Sequence, residues 1–314
     1  MFSIVICTFN GEKKLKKVLD SILSQNGIND LVEEIIVVDN ASTDKTAQIV
    51  QEYILKHSII TYAYESDSGL SNARKCGVNL ASGEWIVFID DDNYLEENWI
   101  IGAEHYIKNT KNVGVFNGNV IPYFENKLSD DQIDILKASY VGLACTTWSR
   151  NFATVNEKKW LPIGAGMVVL REPLARLVSL GWLKTEGRKG NEIISGEDTE
   201  ISTWIKKQGY DYGFCKSIYL LHDIGERRLE IDYLKKLYSS FAIASYRLDI
   251  FNRHTFLRLV KHSMEQTAII LFSLIKQEKI KGVEYYKRIL ATTRARTYLR
   301  EVFSFCNYKH KRIK

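Results

Sequence analysis

Short unbroken apolar runs alternate, over the first 90 residues, with stretches whose apolar residues recur at helical spacing. Residues 2–7, 35–38, 59–64 and 85–89 read as strands; residues 12–23, 43–55 and 70–80 read as helices, the first with Leu15, Val18, Leu19, Ile22 and Leu23 on one face. A strand that is apolar throughout must be covered on both faces. A β-α-β-α order therefore predicts an α/β fold with a mostly parallel central sheet flanked by helices. Ligands meet such sheets at the carboxyl ends of the strands.

Beyond residue 110 the pattern loosens. Residues 113–121 read as a strand and 132–143 as a helix. A Gly-Ala-Gly turn precedes an apolar strand ending at Leu170, residues 201–207 form a short helix stopped near Gly209, and Tyr212 with 218–221 supplies closing strand material. After Gly225 three long proline-free helical patterns follow, at 231–251, 256–276 and 283–303. We expect a catalytic domain at 1–225, with nucleotide binding in 1–120 and acceptor binding and a catalytic base in 121–225. A basic helical region at 226–314 would follow.

The net charge of +5 is concentrated at the end of the chain, where Lys281, Lys287, Arg288, Arg294, Arg296 and Arg300 stand against Glu284 and Glu301. A basic tail suits an anionic partner. The five cysteines are scattered, without the spacing of a zinc site or a disulfide framework, which suits reduced thiols in the cytoplasm. The chain opens directly on strand-like residues rather than on a signal peptide, and no window approaches the ~18 apolar residues of a membrane span.

Chemistry-bearing residues cluster after the strands. Asp90, Asp91 and Asp92 follow the fourth strand, and carboxylates so close repel unless a cation sits among them; Mg2+ or Mn2+ prefers such oxygen ligands. A solvated turn with Asp92 or Asn93 capping a helix is the competing explanation. Asp39 ends the second strand, where it can accept from a base or ribose, while Ser42 to Asp44 suit helix capping. A polar loop containing Gly69 opens the third helix, and Arg74 on it could reach an anion or could simply lie on the surface.

In order and spacing, the segments I-V-I-C-T-F-N ending at Asn10, V-D-N-A-S-T-D ending at Asp44, G-L-S-N-A-R ending at Arg74 and G-E-W-I-V-F-I-D-D-D ending at Asp92 resemble glycosyltransferase family 2, of the GT-A fold. The resemblance covers about the first 110 residues and resumes at Gly164, Ala165 and Gly166 and at Gly196, Glu197 and Asp198. It implies metal-dependent, inverting transfer of a sugar from a nucleotide-sugar to an acceptor hydroxyl, in surface polysaccharide or glycan synthesis. Thr8, Asn10, Asp39, Arg74, Asp90 and Asp91 would then line the donor. Asp92 and His222 would hold Mn2+ or Mg2+. Gly164, Ala165, Gly166 and Glu197 would flank the sugar and acceptor, and Asp198 would be the general base. Capping of a helix by Ser195 with Asp198 three residues on, and a hydrogen-bonded core role for His222, are the structural alternatives.

A UDP-sugar is the first expectation for the donor and a glycan or lipid-linked molecule for the acceptor; a nucleic-acid partner is not expected. The tail would lie on an anionic membrane surface, placing the protein at the inner face of the plasma membrane. Alternatively its aromatic stripe packs on the catalytic domain, or on a second copy to make a homodimer. Trp148 and Trp160 could stack on sugars or fill a core. A dinucleotide-binding dehydrogenase is excluded by the single glycine after the first strand. A nucleotidyltransferase or an inactive sugar-nucleotide-binding module stays open.

Overall fold

A computed structural model describes residues 1–147, 161–183, 196–251, 255–275 and 281–313. Trp148, Trp160 and Ser195 lie outside these residues. The chain divides into two units: one of Met1–Tyr123, Ala144–Glu192 and Glu197–Ile224, the other of Phe124–Leu143, Ile193–Gly196 and Gly225–Lys314.

The first unit holds an eight-stranded sheet, in the order β3-β2-β1-β4-β7-β6-β8-β5. Its strands are β1 (Phe2–Thr8), β2 (Val32–Asp39), β3 (Ile60–Tyr64), β4 (Trp85–Asp90), β5 (Asn93–Leu95), β6 (Val113–Tyr123), β7 (Met167–Leu170) and β8 (Asp211–Asp223). The β3-β2-β1-β4 half is parallel. β7 runs antiparallel to β4 and β6, β8 parallel to β6, and the short β5 antiparallel to β8. Helices α1 (Leu15–Leu23), α2 (Ile28–Leu31), α3 (Thr46–Ile54), α4 (Leu70–Leu80), α5 (Trp99–Asn109), α7 (Arg171–Ser179) and α8 (Glu197–Lys207) complete the unit. Val5, Cys7, Ile36, Val38, Ile86 and Phe88 share one core with Ala73 and Val78 of α4, Leu174 and Leu177 of α7 and Ile201 and Ile205 of α8. Their strand neighbours Ile4, Ile6, Ile35, Val37 and Val87 are as deeply buried, so both faces are covered. Each such side chain contributes about 1.5–3 kcal/mol relative to exposure.

Several boundaries differ from the sequence expectation, each for a local reason. α1 begins at Leu15 and α3 at Thr46 because their approach loops bond to each other. The N–H groups of Asn10, Gly11 and Glu12 donate to Ser42 Oγ, Thr46 Oγ1 and Asp44 Oδ2, and Thr43 N–H donates to Asn10 Oδ1. Asp44, not Ser42 or Thr43, accepts from the backbone at the start of α3. The closing strand is one element: β8 absorbs polar Lys216 and Ser217 in a bulge, where the register steps from Gly118↔Cys215 to Asn119↔Tyr219. A Cβ on Gly118 would lie 2.2 Å from Ile218 Cγ1, so the bulge needs a glycine there. α5 was not anticipated; Gly102 inside it lets the helix approach Ile218, at 2.4 Å from where its Cβ would stand. α8 begins four residues earlier than expected, and Gly209 after it has φ +95, as a helix-terminating glycine requires.

The second unit contains α6 (Asp130–Ser139), a 3-10 turn at Glu226–Leu229, α9 (Ile231–Phe251), α10 (Thr255–Ile275) and α11 (Val283–Ile313). Ser129 and Gln132 form a reciprocal capping box, which starts α6 two residues ahead of the expected position. α11 packs against α9, α10 and α6. Ala242, Tyr246 and Tyr298 form its core, the two tyrosines meeting edge to face with centroids 6.1 Å apart. Among the described residues no helix is long and apolar enough to cross a membrane.

Candidate functional site

The carboxyl ends of β2, β1 and β4 stand side by side, with Thr8 opposite Asp39 and Cys7 opposite Asp90 in register. Three chemically capable positions from three sequence segments thus share one rim. Thr8 is 2% exposed; its Oγ1 donates to Asp91 Oδ2 at 2.7 Å, and Phe9 N–H donates to the same oxygen at 3.3 Å. Asp91 therefore ties the β1 loop to the acidic turn. Gly11 permits this bond, since a Cβ there would lie 2.3 Å from Thr8 Oγ1. Burial, and then the neighbouring charge of Asp92, pushes the Asp91 carboxyl up to about 7.

Asp39 is buried. Its Oδ1 accepts from Ser42 N–H and its Oδ2 from the Tyr62 hydroxyl, each at 2.9 Å. Burial and the bond to Asp39 push the Tyr62 phenol up to about 12, so it stays a donor. Asn10, in a left-handed conformation at φ 55, spends its side-chain oxygen on Thr43. Asp39 and Asn10 thus shape the loop above the rim.

Asp92 is reached through a different pairing. β5 lies antiparallel on β8, with Asn93 opposite His222. This register brings Asp92 Oδ2 and His222 Nε2 to 3.5 Å, both residues buried. Asn93 Nδ2 donates to Asp92 Oδ1, and the Asp92 carbonyl accepts from Asp223 N–H. Asn93 Oδ1 is buried without a hydrogen-bond partner among the described residues. Asp223 is fixed in turn by Lys14 at 3.2 Å and the Tyr94 hydroxyl at 2.7 Å. Spacing alone gave no sign of these last two contacts.

Arg74 lies inside rather than on the surface. It is 3% exposed, with Nη1 at 2.5 Å from Glu197 Oε1 and Nη2 at 3.6 Å from Asp90 Oδ1. Its guanidinium carbon sits 5.4 Å from the Phe88 ring centroid. Two carboxylates overcome the cost of its burial and hold it protonated. It therefore links the end of β4 to the start of α8. The turn at Gly164, Ala165 and Gly166 is pressed onto it: a Cβ on Gly164 would lie 2.6 Å from Arg74 Nη2, and one on Gly166 2.5 Å from Leu220 Cδ2. Because Met167 pairs with Phe88, this turn lies at the carboxyl end of β4, beside Asp90. Asp198, next to Glu197 in the first turn of α8, is half-buried and accepts from Thr199 N–H at 2.8 Å.

Among the described residues no three His, Cys, Asp or Glu side chains converge as a complete metal cage. The close pair is Asp92 with His222, one carboxylate and one imidazole. Mn2+ and Mg2+ keep waters and phosphate oxygens in the rest of their shell, so a site with few protein ligands suits them. The buried, unpartnered Asn93 Oδ1 beside Asp92 adds an acceptor for a bound water.

A family model described as Glycosyl transferase family 2 matches residues 3–174. The chain is 35% identical over 98 residues to the glycosyltransferase GlyA of Streptococcus pneumoniae, covering 31% of this chain and 14% of that protein. It is 33% identical over 107 residues to the poly(ribitol-phosphate) beta-N-acetylglucosaminyltransferase TarS of Staphylococcus aureus, covering 34% of this chain and 18% of that one. The matched stretch thus spans under a fifth of either relative. Among solved structures, the mannosyltransferase PcManGT from Pyrobaculum calidifontis in complex with GDP-Man and Mn2+ superposes with a TM-score of 0.54 at 17% identity, covering 96% of this chain and 75% of the other. S. aureus TarS 1-349 in complex with UDP-GlcNAc gives 0.50 at 15% identity, covering 95% and 89%. The likeness is one of fold, that of the GT-A transferases.

Proposed function

The chain belongs to glycosyl transferase family 2, and from that premise we propose that it moves a sugar from a nucleoside-diphosphate sugar to an acceptor hydroxyl, by metal-dependent displacement that inverts the anomeric carbon. The observation that carries this reading is the shared rim of Thr8, Asp39 and Asp90, flanked by the 3.5 Å pair of Asp92 and His222. Thr8, Asn10 and Asp39 receive the base and ribose, with the Tyr62 hydroxyl fixing the Asp39 carboxylate. Asp90 faces the ribose, and Asp91 holds the loop that covers it. Asp92 and His222 would hold a divalent ion, which would offset charge gathering on the diphosphate leaving group. Arg74 and Glu197 brace the Gly164–Gly166 turn and the start of α8, so that Asp198 faces the acceptor. Asp198 takes the proton of the attacking hydroxyl, a poor nucleophile until that proton is moved.

A UDP-sugar is the donor to test first, because the TarS structure was solved with UDP-GlcNAc. The relatives include TarS and the minor teichoic acid biosynthesis protein GgaB of Bacillus subtilis, so a surface-polymer acceptor is the matching choice. One face of α11 carries Arg288 and Arg300 with exposed Tyr285 and Phe303, which suits an anionic membrane surface. Flotation of the full chain with anionic but not neutral vesicles checks that part; equal flotation with both argues against it.

Release of a nucleoside diphosphate from a nucleotide-sugar in the presence of Mn2+ tests the reaction itself. Release of pyrophosphate would indicate a nucleotidyltransferase, and binding without turnover an inactive module. Asp198→Asn should keep donor affinity within twofold and lower kcat by a factor on the order of 10² or more.

A further inference from the structure

Helices α6, α9, α10 and α11 of the second unit enclose a cleft of about 350 Å3. Lys287, Leu290 and Arg294 line it from one face of α11, Gln266 from α10 and Tyr238 from α9; no lining residue is an Asp or a Glu. The two cations are seven residues apart and so lie on the same side of the helix. Among the described residues Lys287 makes no ion pair or hydrogen bond, and Arg294 makes only a 3.2 Å bond from Nη2 to Ser245 Oγ. Asp131, an acidic residue of the same unit, is engaged by the Tyr286 hydroxyl.

Gln266 supplies an independent observation. It is 8% exposed, it lines the cleft, and its amide forms no hydrogen bond among the described residues. The amide itself is open to the cleft and so is available to a ligand there. Tyr238 is held in place: a Cβ on Gly142 would lie 2.8 Å from its Cε2, and its ring meets Phe241 edge to face at 5.6 Å. The cleft therefore sets the two cations of α11 and the amide of α10 beside the apolar surface of Leu290, which lies between those cations on α11, and the ring of Tyr238.

We propose that this cleft is a binding site for a phosphate ester. The phosphate oxygens accept from Lys287 Nζ, the Arg294 guanidinium and Gln266 Nε2, and the esterified group packs on Tyr238 and Leu290. A multi-oxygen anion matches two cations and an amide better than a single carboxylate would. The site shares no residue with the donor rim, so it stands or falls separately from the transferase reading.

The test is calorimetric titration of the full chain at low salt, in EDTA, with glycerol 1-phosphate and with monomeric dihexanoyl phosphatidylglycerol. Saturable binding of at least one is expected. It should weaken at least tenfold in Lys287→Ala/Arg294→Ala and in Gln266→Glu, which keeps the side-chain shape and adds a negative charge, and stay unchanged in Asp92→Asn. Tighter binding of the lipid assigns the source as a headgroup; tighter binding of glycerol phosphate assigns a soluble ester; equal binding assigns the phosphate alone. Thermal unfolding verifies that each variant is folded, with Lys287→Gln replacing the double variant if that one is not. Binding of neither probe, wild-type affinity in the folded variants, or loss confined to Asp92→Asn overturns the proposal.

Discussion

Replacing Arg74 with methionine removes the cation that holds the start of α8 to the end of β4. The Arg74 and Glu197 side chains are 4% and 7% exposed, so solvent screens their 2.5 Å pair little. Deleting one member of a buried pair leaves the other charge unsolvated and typically costs about 3–5 kcal/mol. Asp90 is 31% exposed and 3.6 Å away, so it adds little to that figure. In a unit of this size about 1 kcal/mol moves the melting temperature by roughly 2–4 °C. Arg74→Met should therefore lower Tm by roughly 6–20 °C at neutral pH. Arg74→Met/Glu197→Met should recover most of the loss, because a packed apolar pair substitutes well for a buried ion pair. Recovered stability should not restore turnover, since Asp198 loses its brace. Scanning calorimetry of the wild type, both single variants and the double variant gives the coupling energy directly. Additive losses, or a single-variant shift under about 2 °C, would show that the pair does not anchor α8.

Glycine positions separate strain from crowding: Gly209→Ala, at φ +95 with nothing within 4 Å of the added Cβ, should cost about 1 kcal/mol, whereas Gly166→Ala, at φ +66 and 2.5 Å from Leu220 Cδ2, should cost at least twice that in denaturant titration. Asp91 sets a pH dependence. Its carboxyl rises from 3.8 to about 7 on folding, so the folded protein binds the extra proton between those values, and metal-free stability should fall as pH rises from about 4 to 7. Asp91→Asn should flatten that slope in thermal melts, and an unchanged slope assigns it elsewhere. Tyr62→Phe should weaken donor binding severalfold by freeing the Asp39 carboxylate, while Tyr64→Phe, at an exposed ring, should not.

The parallel half of the sheet was legible because each strand is buried on both faces and so appears as an unbroken apolar run, 2–7 or 85–89. The strand-end positions of Asp39 and Asp90 follow from those runs. Arg74 with Glu197 was not legible: the partners are 123 residues apart and meet only because the helices carrying them share one core. The approach of His222 to Asp92 depends on three residues of edge strand, too short to give a periodic signal. α5 was hidden by Gly102, which weakens helical propensity yet is what allows close packing on β8. The starts of α1 and α3 were obscured because the loops leading into them are held to each other by side-chain-to-backbone bonds between residues about 30 apart in sequence.

Calorimetric affinity for a nucleoside diphosphate, with and without Mn2+, in wild type and Asp92→Asn tests the account most directly, with UDP first and GDP and dTDP after it. At least tenfold tighter binding with Mn2+ in the wild type, abolished in Asp92→Asn, is the predicted result. Equal affinity in all four conditions for every nucleotide would contradict a diphosphate held through a cation at this rim.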